Sequence, residues 1–199
     1  MNKRPILILE FFLLSLILTA CSMPETKIYS IGYSGQTASN IPQDKPKAYI
    51  TINAPRHLSQ PYIVYRTSLY ELTISKYSKW DAPPSETVRD IVKDSLLASG
   101  GFGEVSGSLA APAGAYHAKI DLKRFERSDS AEGSSAELLF DVSLISPEGK
   151  EVHNQRISKQ VKLEDNAFRN LAKALNSAVL EAAKELTKRV SETLSSTRR

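Results

Sequence analysis

The sequence predicts an α+β domain: one mixed or antiparallel β-sheet with a mid-chain helix and a long C-terminal helix packed on it. Three observations carry that expectation. Runs in which apolar and polar residues alternate recur from Ala48 to Leu163, the period of a half-buried strand. A helical period appears in two places beyond the leader, around Val88–Leu97 and around Phe168–Leu194. The resulting order, β-β-β-α-(β)-β-β-β-α, groups strands together, as in a sheet with helices on one side. No internal repeat and no second core are visible, so a single domain is expected.

Taken in order, Ala48, Ile50 and Ile52 alternate with Tyr49 and Thr51 to give a first strand. Pro55 and Pro61 bracket a turn, because proline fixes φ and removes a donor. Tyr62–Arg66 and Leu69–Lys76 read as two strands joined tightly at Thr67-Ser68, with Tyr70, Leu72 and Ile74 on one face. Trp80 closes the second, and Pro83-Pro84 forbids its continuation. Ser85 is the expected N-cap of a helix, with Glu86 complementing its dipole. That helix carries Val88, Ile91, Val92, Leu96 and Leu97 and stops at Gly100-Gly101. A short strand around Glu104-Val105 and a loop from Gly107 to Gly114 follow.

Tyr116, Ala118, Ile120 and Leu122 alternate with His117, Lys119, Asp121 and Lys123 in a long strand. Ser128–Ser135 reads as a polar turn. Leu138–Ser146 is apolar on both faces and is placed centrally. Pro147–Lys150 is a hairpin turn, and Glu151–Leu163 returns as a more polar strand. A helix from about Asn166 to Leu194, with Asp165 as N-cap, carries a stripe through Phe168, Leu171, Leu175, Val179, Ala182, Leu186, Val190 and Leu194. Glu181–Lys184 and Glu185–Arg189 are expected to support its exposed side. So long a helix outruns a small sheet, so its end is expected to be free or used in association.

Ahead of this domain, Lys3 and Arg4 precede an apolar run, Ile6–Leu18, interrupted by Glu10 and Ser15. The run is shorter than the roughly 20 residues that span a bilayer, and with its basic start it reads as a secretory signal. It ends Leu18-Thr19-Ala20-Cys21, which resembles a bacterial lipobox. That resemblance implies cleavage after Ala20, an S-diacylglycerol thioether on Cys21 and acylation of the new amine. Ser22, where Asp would signal retention, resembles the sorting pattern of outer-membrane lipoproteins facing the periplasm. Residues 1–20 are thus a lipoprotein signal peptide and 21–46 a lipidated N-terminus and tether. The domain itself spans 47–199. Rich in Ser, Gly, Gln, Asn and Pro, some 25 tether residues would reach about 28 Å on average and about 85 Å at full extension. Within them Lys27–Ile31 has the pattern of a short edge strand.

The formal charge of +4 falls to about +3 without the leader, and basic residues are interspersed with acidic ones, which argues against nucleic acid. The one cysteine excludes an intramolecular disulfide. His57, His117 and His153 fall on separate elements without metal-ligand spacing, so no metal or other cofactor is expected. Gly100-Gly101-Phe102-Gly103 lacks the Lys-Ser/Thr of a P-loop, and no Gly-x-Ser-x-Gly elbow occurs. Trp80 reads as a core plug between sheet and helix, ahead of a ligand contact, and Arg66 as half of an ion pair, ahead of a contact with a partner. Tyr62, Tyr65, Tyr70 and Tyr77 divide between core and docking surface, since tyrosine suits interfaces.

The pattern Pro-x-x-Leu-x-x-Pro-x-Ile-Val-x-Arg (Pro55, Leu58, Pro61, Ile63, Val64, Arg66), then Trp80 with Pro83, then a helix, resembles the ABC-type transport auxiliary lipoproteins. These accompany mammalian-cell-entry (MCE) domain lipid transporters, the paraquat-inducible system among them. The likeness covers the mature domain in outline. It departs at Asp81-Ala82-Pro83-Pro84, where the family pattern has an acidic residue before a single Pro. The resemblance implies a protein that is not an enzyme: an outer-membrane-anchored subunit that docks a periplasmic MCE protein and helps lipid pass between membranes. It also allows a homo-oligomer. A stand-alone envelope lipoprotein binding a lipid or small apolar ligand is the alternative, and would require an enclosed apolar pocket.

Overall fold

The computed structural model describes residues 24–32, 45–107 and 112–197, with the side chains of 196 and 197 excepted. The leader, Cys21, part of the tether and part of the 107–114 loop lie outside the described residues. The fold is the expected α+β arrangement, an open eight-stranded mixed sheet with two helices. Its strands are β1 (Lys27–Tyr29), β2 (Lys47–Asn53), β3 (Tyr62–Ser68), β4 (Glu71–Trp80), β5 (Glu104–Ser106), β6 (Tyr116–Ser130), β7 (Gly133–Ile145) and β8 (Glu151–Lys162). The helices are α1 (Pro84–Ala98) and α2 (Phe168–Thr197).

β6 is the axis. It pairs antiparallel with β7 from His117↔Ile145 to Ser130↔Gly133, and β8 extends that side antiparallel to β7. Its other edge is shared by two branches. The first half takes β2 in parallel (Ala48↔Tyr116 to Asn53↔Asp121), and β2 carries β5. The second half takes β3 in parallel at Tyr65↔Arg127 and Arg66↔Ser128; β3 carries β4 antiparallel, and β4 carries β1 in parallel. A bulge between Leu122 and Arg124 resets the alternation of β6, after which Phe125, Glu126 and Arg127 are all buried.

The core lies between the sheet and the helices. Ala118, Ile120, Leu122, Leu138, Phe140, Val142, Leu144 and Ile157 project from the sheet toward Val88, Ile91, Val92 and Leu96 of α1 and Leu171, Leu175, Val179 and Leu186 of α2. Each large apolar side chain so buried contributes about 1.5–3 kcal/mol. Trp80 is the expected plug, buried edge-on against Phe125 at 5.5 Å between ring centroids.

Several local expectations are corrected. The β3–β4 turn is Leu69-Tyr70 rather than Thr67-Ser68, so Tyr70 leaves the face it was assigned and stands in solvent. The Ser128–Ser135 stretch is mostly strand, with only Ala131-Glu132 between β6 and β7. Pro83, not Ser85, is the N-cap of α1. Proline is tolerated in a first turn because its missing N–H would have no helical partner there, so the helix starts at Pro84 and buries Ser85. At the other end Gly100 adopts φ +68°, and its N–H bonds the Leu97 carbonyl at 3.1 Å. Asp165 lies three residues before α2; its carboxylate accepts from the Ala167 N–H and the Asn170 side chain, each at 2.8 Å, and braces the approach. The end of α2 is not free: Val190 and Leu194 are buried, and the helix touches α1.

Candidate docking surface

The strands turn a polar face away from the helices. On it Asp141, in the middle of β7, receives a bidentate pair from Arg156 of β8 (Nε–Oδ1 2.7 Å, Nη2–Oδ2 3.0 Å) and a bond from Lys123 of β6. Those donors hold the Asp141 carboxyl well below the usual carboxylate range, Arg156 first and Lys123 second. Lys123 also lies 3.7 Å from Asp121, which accepts from Asn53 at 3.3 Å. Arg124 pairs with Glu137 alongside. Asn53, Asp121, Asp141 and Arg156, with Thr51, Lys119, Ser143 and Asn154, line an open cleft of about 760 Å³. Several charges of both signs on this face are paired with one another. Asp141 is the residue that reading for motifs passed over; a lone acid inside the apolar run Leu138–Ile145 was its signal.

At the β3–β6 junction the polar groups go under. Glu126 is fully buried; its Oε1 accepts from Arg66 Nε at 2.6 Å, and its Oε2 has no partner among the described residues. The ion pair expected of Arg66 is therefore present. His57, on the single 3-10 turn Arg56–Leu58, feels this carboxylate, yet burial outweighs it and pushes the imidazole pKa down. On the helix side Arg127 lies over the rings of Tyr65 (4.7 Å) and Phe168 (5.2 Å), grips Asp129 with two 2.8 Å bonds and bonds the Asn166 carbonyl. It thereby locks the start of α2 onto the sheet.

The other histidines are dispersed. His117 stacks on Tyr49 at 4.1 Å and bonds Thr51 at 2.8 Å, and burial, then Lys119, lower its pKa. His153 is on β8, within 3.3 Å of Gln155. Among the described residues no group of three or more His, Cys, Asp or Glu is arranged to hold a metal. Glu185, half-exposed, is turned toward β8: it accepts from Gln155 at 2.6 Å and Lys159 at 2.7 Å, and Lys159, with a smaller contribution from the expected partner Arg189, lowers its pKa.

The tyrosines differ in exposure. Tyr62 and Tyr65 are half-buried, the latter near Phe168 at 6.2 Å, whereas Tyr70 and Tyr77 are exposed. Cys21 lies outside the described residues. No described helix is long and apolar enough to cross a membrane.

In sequence, no curated protein matches the chain. In structure it is similar to protein XCC0632 of Xanthomonas campestris, from the family DUF330, at 20% identity. That match covers 86% of this chain and 97% of the other, with a TM-score of 0.68. A crystal structure of an uncharacterized protein aligns at 13% identity over 84% of this chain and 99% of its own, with a TM-score of 0.67. At these identities the likeness shows the fold alone. The family model described as the ABC-type transport auxiliary lipoprotein component matches residues 30–187, and the chain belongs to that family of envelope lipoproteins auxiliary to ABC-type transport.

Proposed function

We propose that the protein is a non-catalytic docking subunit of an MCE-dependent lipid transporter, held to the periplasmic face of the outer membrane by acyl chains on Cys21. The family match over residues 30–187 carries this reading. Support comes from the Leu18–Cys21 lipobox pattern, from Ser22 after it, and from an outer sheet face of mutually paired charges, which suits a hydrated protein contact. Acyl chains contribute about 0.8 kcal/mol per buried methylene, so the several on such a terminus hold it essentially permanently. The sheet face then meets the MCE protein.

The test is mild-detergent affinity purification of the tagged protein from its own cells, with mass spectrometry and membrane fractionation, beside a Cys21→Ala control. Recovery of an MCE protein, with the wild type in the outer-membrane fraction and the variant outside it, is the expected result. Recovery of the acylated protein with no MCE partner would overturn the docking role, and a bound lipid in its place would identify a ligand-binding lipoprotein.

A further inference from the structure

Among the described residues, five large hydrophobic side chains are exposed, and all lie on one unit of the sheet: Ile28 on β1, Leu69 and Tyr70 in the β3–β4 turn, and Ile74 and Tyr77 on β4. Leu69 and Tyr70 are 80% and 97% exposed. A two-residue hairpin turn asks for residues such as Asn and Gly that accept positive φ, and gains nothing from Leu-Tyr as a turn. Of the five, Leu69 and Tyr70 are adjacent at the tip of the hairpin, and large apolar side chains so exposed together mark a contact.

The path of the chain bears on what that contact is. Lys27 is six residues after Cys21, a span of at most about 20 Å. β1 runs parallel to β4, with Lys27 beside Ser78, so the chain enters β1 from the end of the sheet where Leu69 and Tyr70 stand. Along β4, Tyr70 is about 26 Å from Ser78. A Cys21–Lys27 segment extended toward the turn would span about 20 Å of that distance.

We infer that the β3–β4 turn inserts into the leaflet that holds the anchor, Leu69 entering the acyl region and Tyr70 resting at the headgroups. Tyrosine favours that depth, where its ring is apolar and its hydroxyl is wet. The inference rests on the acylation of Cys21 proposed above. It gives the domain a fixed attitude, with the turn toward the bilayer and the opposite end of the sheet, at the β7–β8 turn, away from it.

Because Cys21 is the only native cysteine and is consumed by acylation, a new one gives a single labelling site. The full chain is prepared with Leu69→Cys or Lys150→Cys, its acyl mass verified, and each thiol labelled with an environment-sensitive fluorophore. The proteins are reconstituted in phosphatidylethanolamine–phosphatidylglycerol vesicles. A blue shift and quenching by spin-labelled lipid at position 69, with neither at 150, is the expected result. An aqueous label at 69 on acylated protein overturns the inference and leaves the anchor standing. Shielding at 69 that follows protein density instead of lipid quencher assigns the turn to a second copy, and shielding only after MCE protein is added assigns it to that partner; both overturn it. A mass without acyl chains removes the anchor, and the inference with it.

Discussion

Arg66 Nε lies 2.6 Å from Oε1 of Glu126, a carboxylate with no exposed surface. The pair fastens β3 to β6 where the two strands share only two register positions. Removing one partner of a buried pair strands the other charge, which costs more than the pair contributes. Arg66→Met should therefore destabilise the domain by about 3 kcal/mol in urea unfolding. Adding Glu126→Leu should recover much of that loss. An additive double variant would show that the two do not act as a pair.

Asp141 links stability to acid. Its pKa is depressed by Arg156 and Lys123, so the contribution is complete above the ordinary carboxylate value of about 3.9 and is lost as pH falls through the lower, folded value. Asp141→Asn should lower the urea midpoint at neutral pH and flatten its decline in acid. Midpoints measured across the acid range, with identical slopes in the two proteins, would refute this.

A separate dependence lies nearer neutrality. His57 and His117 both have lowered pKa values, chiefly through burial, so the unfolded chain takes up their protons first. Their contribution is present above the ordinary value of about 6.5 and is lost as pH falls through the folded values. Stability should thus decline below pH 6.5, and a His57→Gln, His117→Gln protein should decline less. NMR titration of the two imidazoles checks the same shift directly.

Leu194 tests where α2 ends energetically. It is buried beside Gly101, so Leu194→Ala should cost about 2 kcal/mol, whereas truncating a free helix end would cost almost nothing. Thermal unfolding monitored by far-UV circular dichroism would separate the two.

The helices, the long strands and the Trp80 plug were legible because each rests on a period or on a large apolar residue. The turns were less so. Thr67-Ser68 has turn composition, and Leu69-Tyr70 has strand composition, so propensity shifted the loop two residues upstream of where the register places it. Ser85 has the side chain of an N-cap, but Pro84 already has helical φ and starts the helix before it. Glu185 looked like an exposed partner for Arg189 because helical spacing says nothing of what β8 presents; only the fold brings Lys159 and Gln155 to it. The polar surface around Asp141 was unreadable for the same reason, as its members come from β2, β6, β7 and β8. The lipobox resemblance needed no fold at all.

The three-residue pairing of β1 with β4 has a mechanical meaning. With Cys21 fixed in a membrane, any pull between bilayer and domain arrives first at Lys27–Tyr29, a strand short enough to peel while the larger sheet holds. Peeling hands the tether the length up to Lys47, and the slack between anchor and domain grows from about 20 Å to about 85 Å. On the anchoring proposed above, β1 would act as a release, holding the domain near its membrane until a pull peels the three-residue pairing.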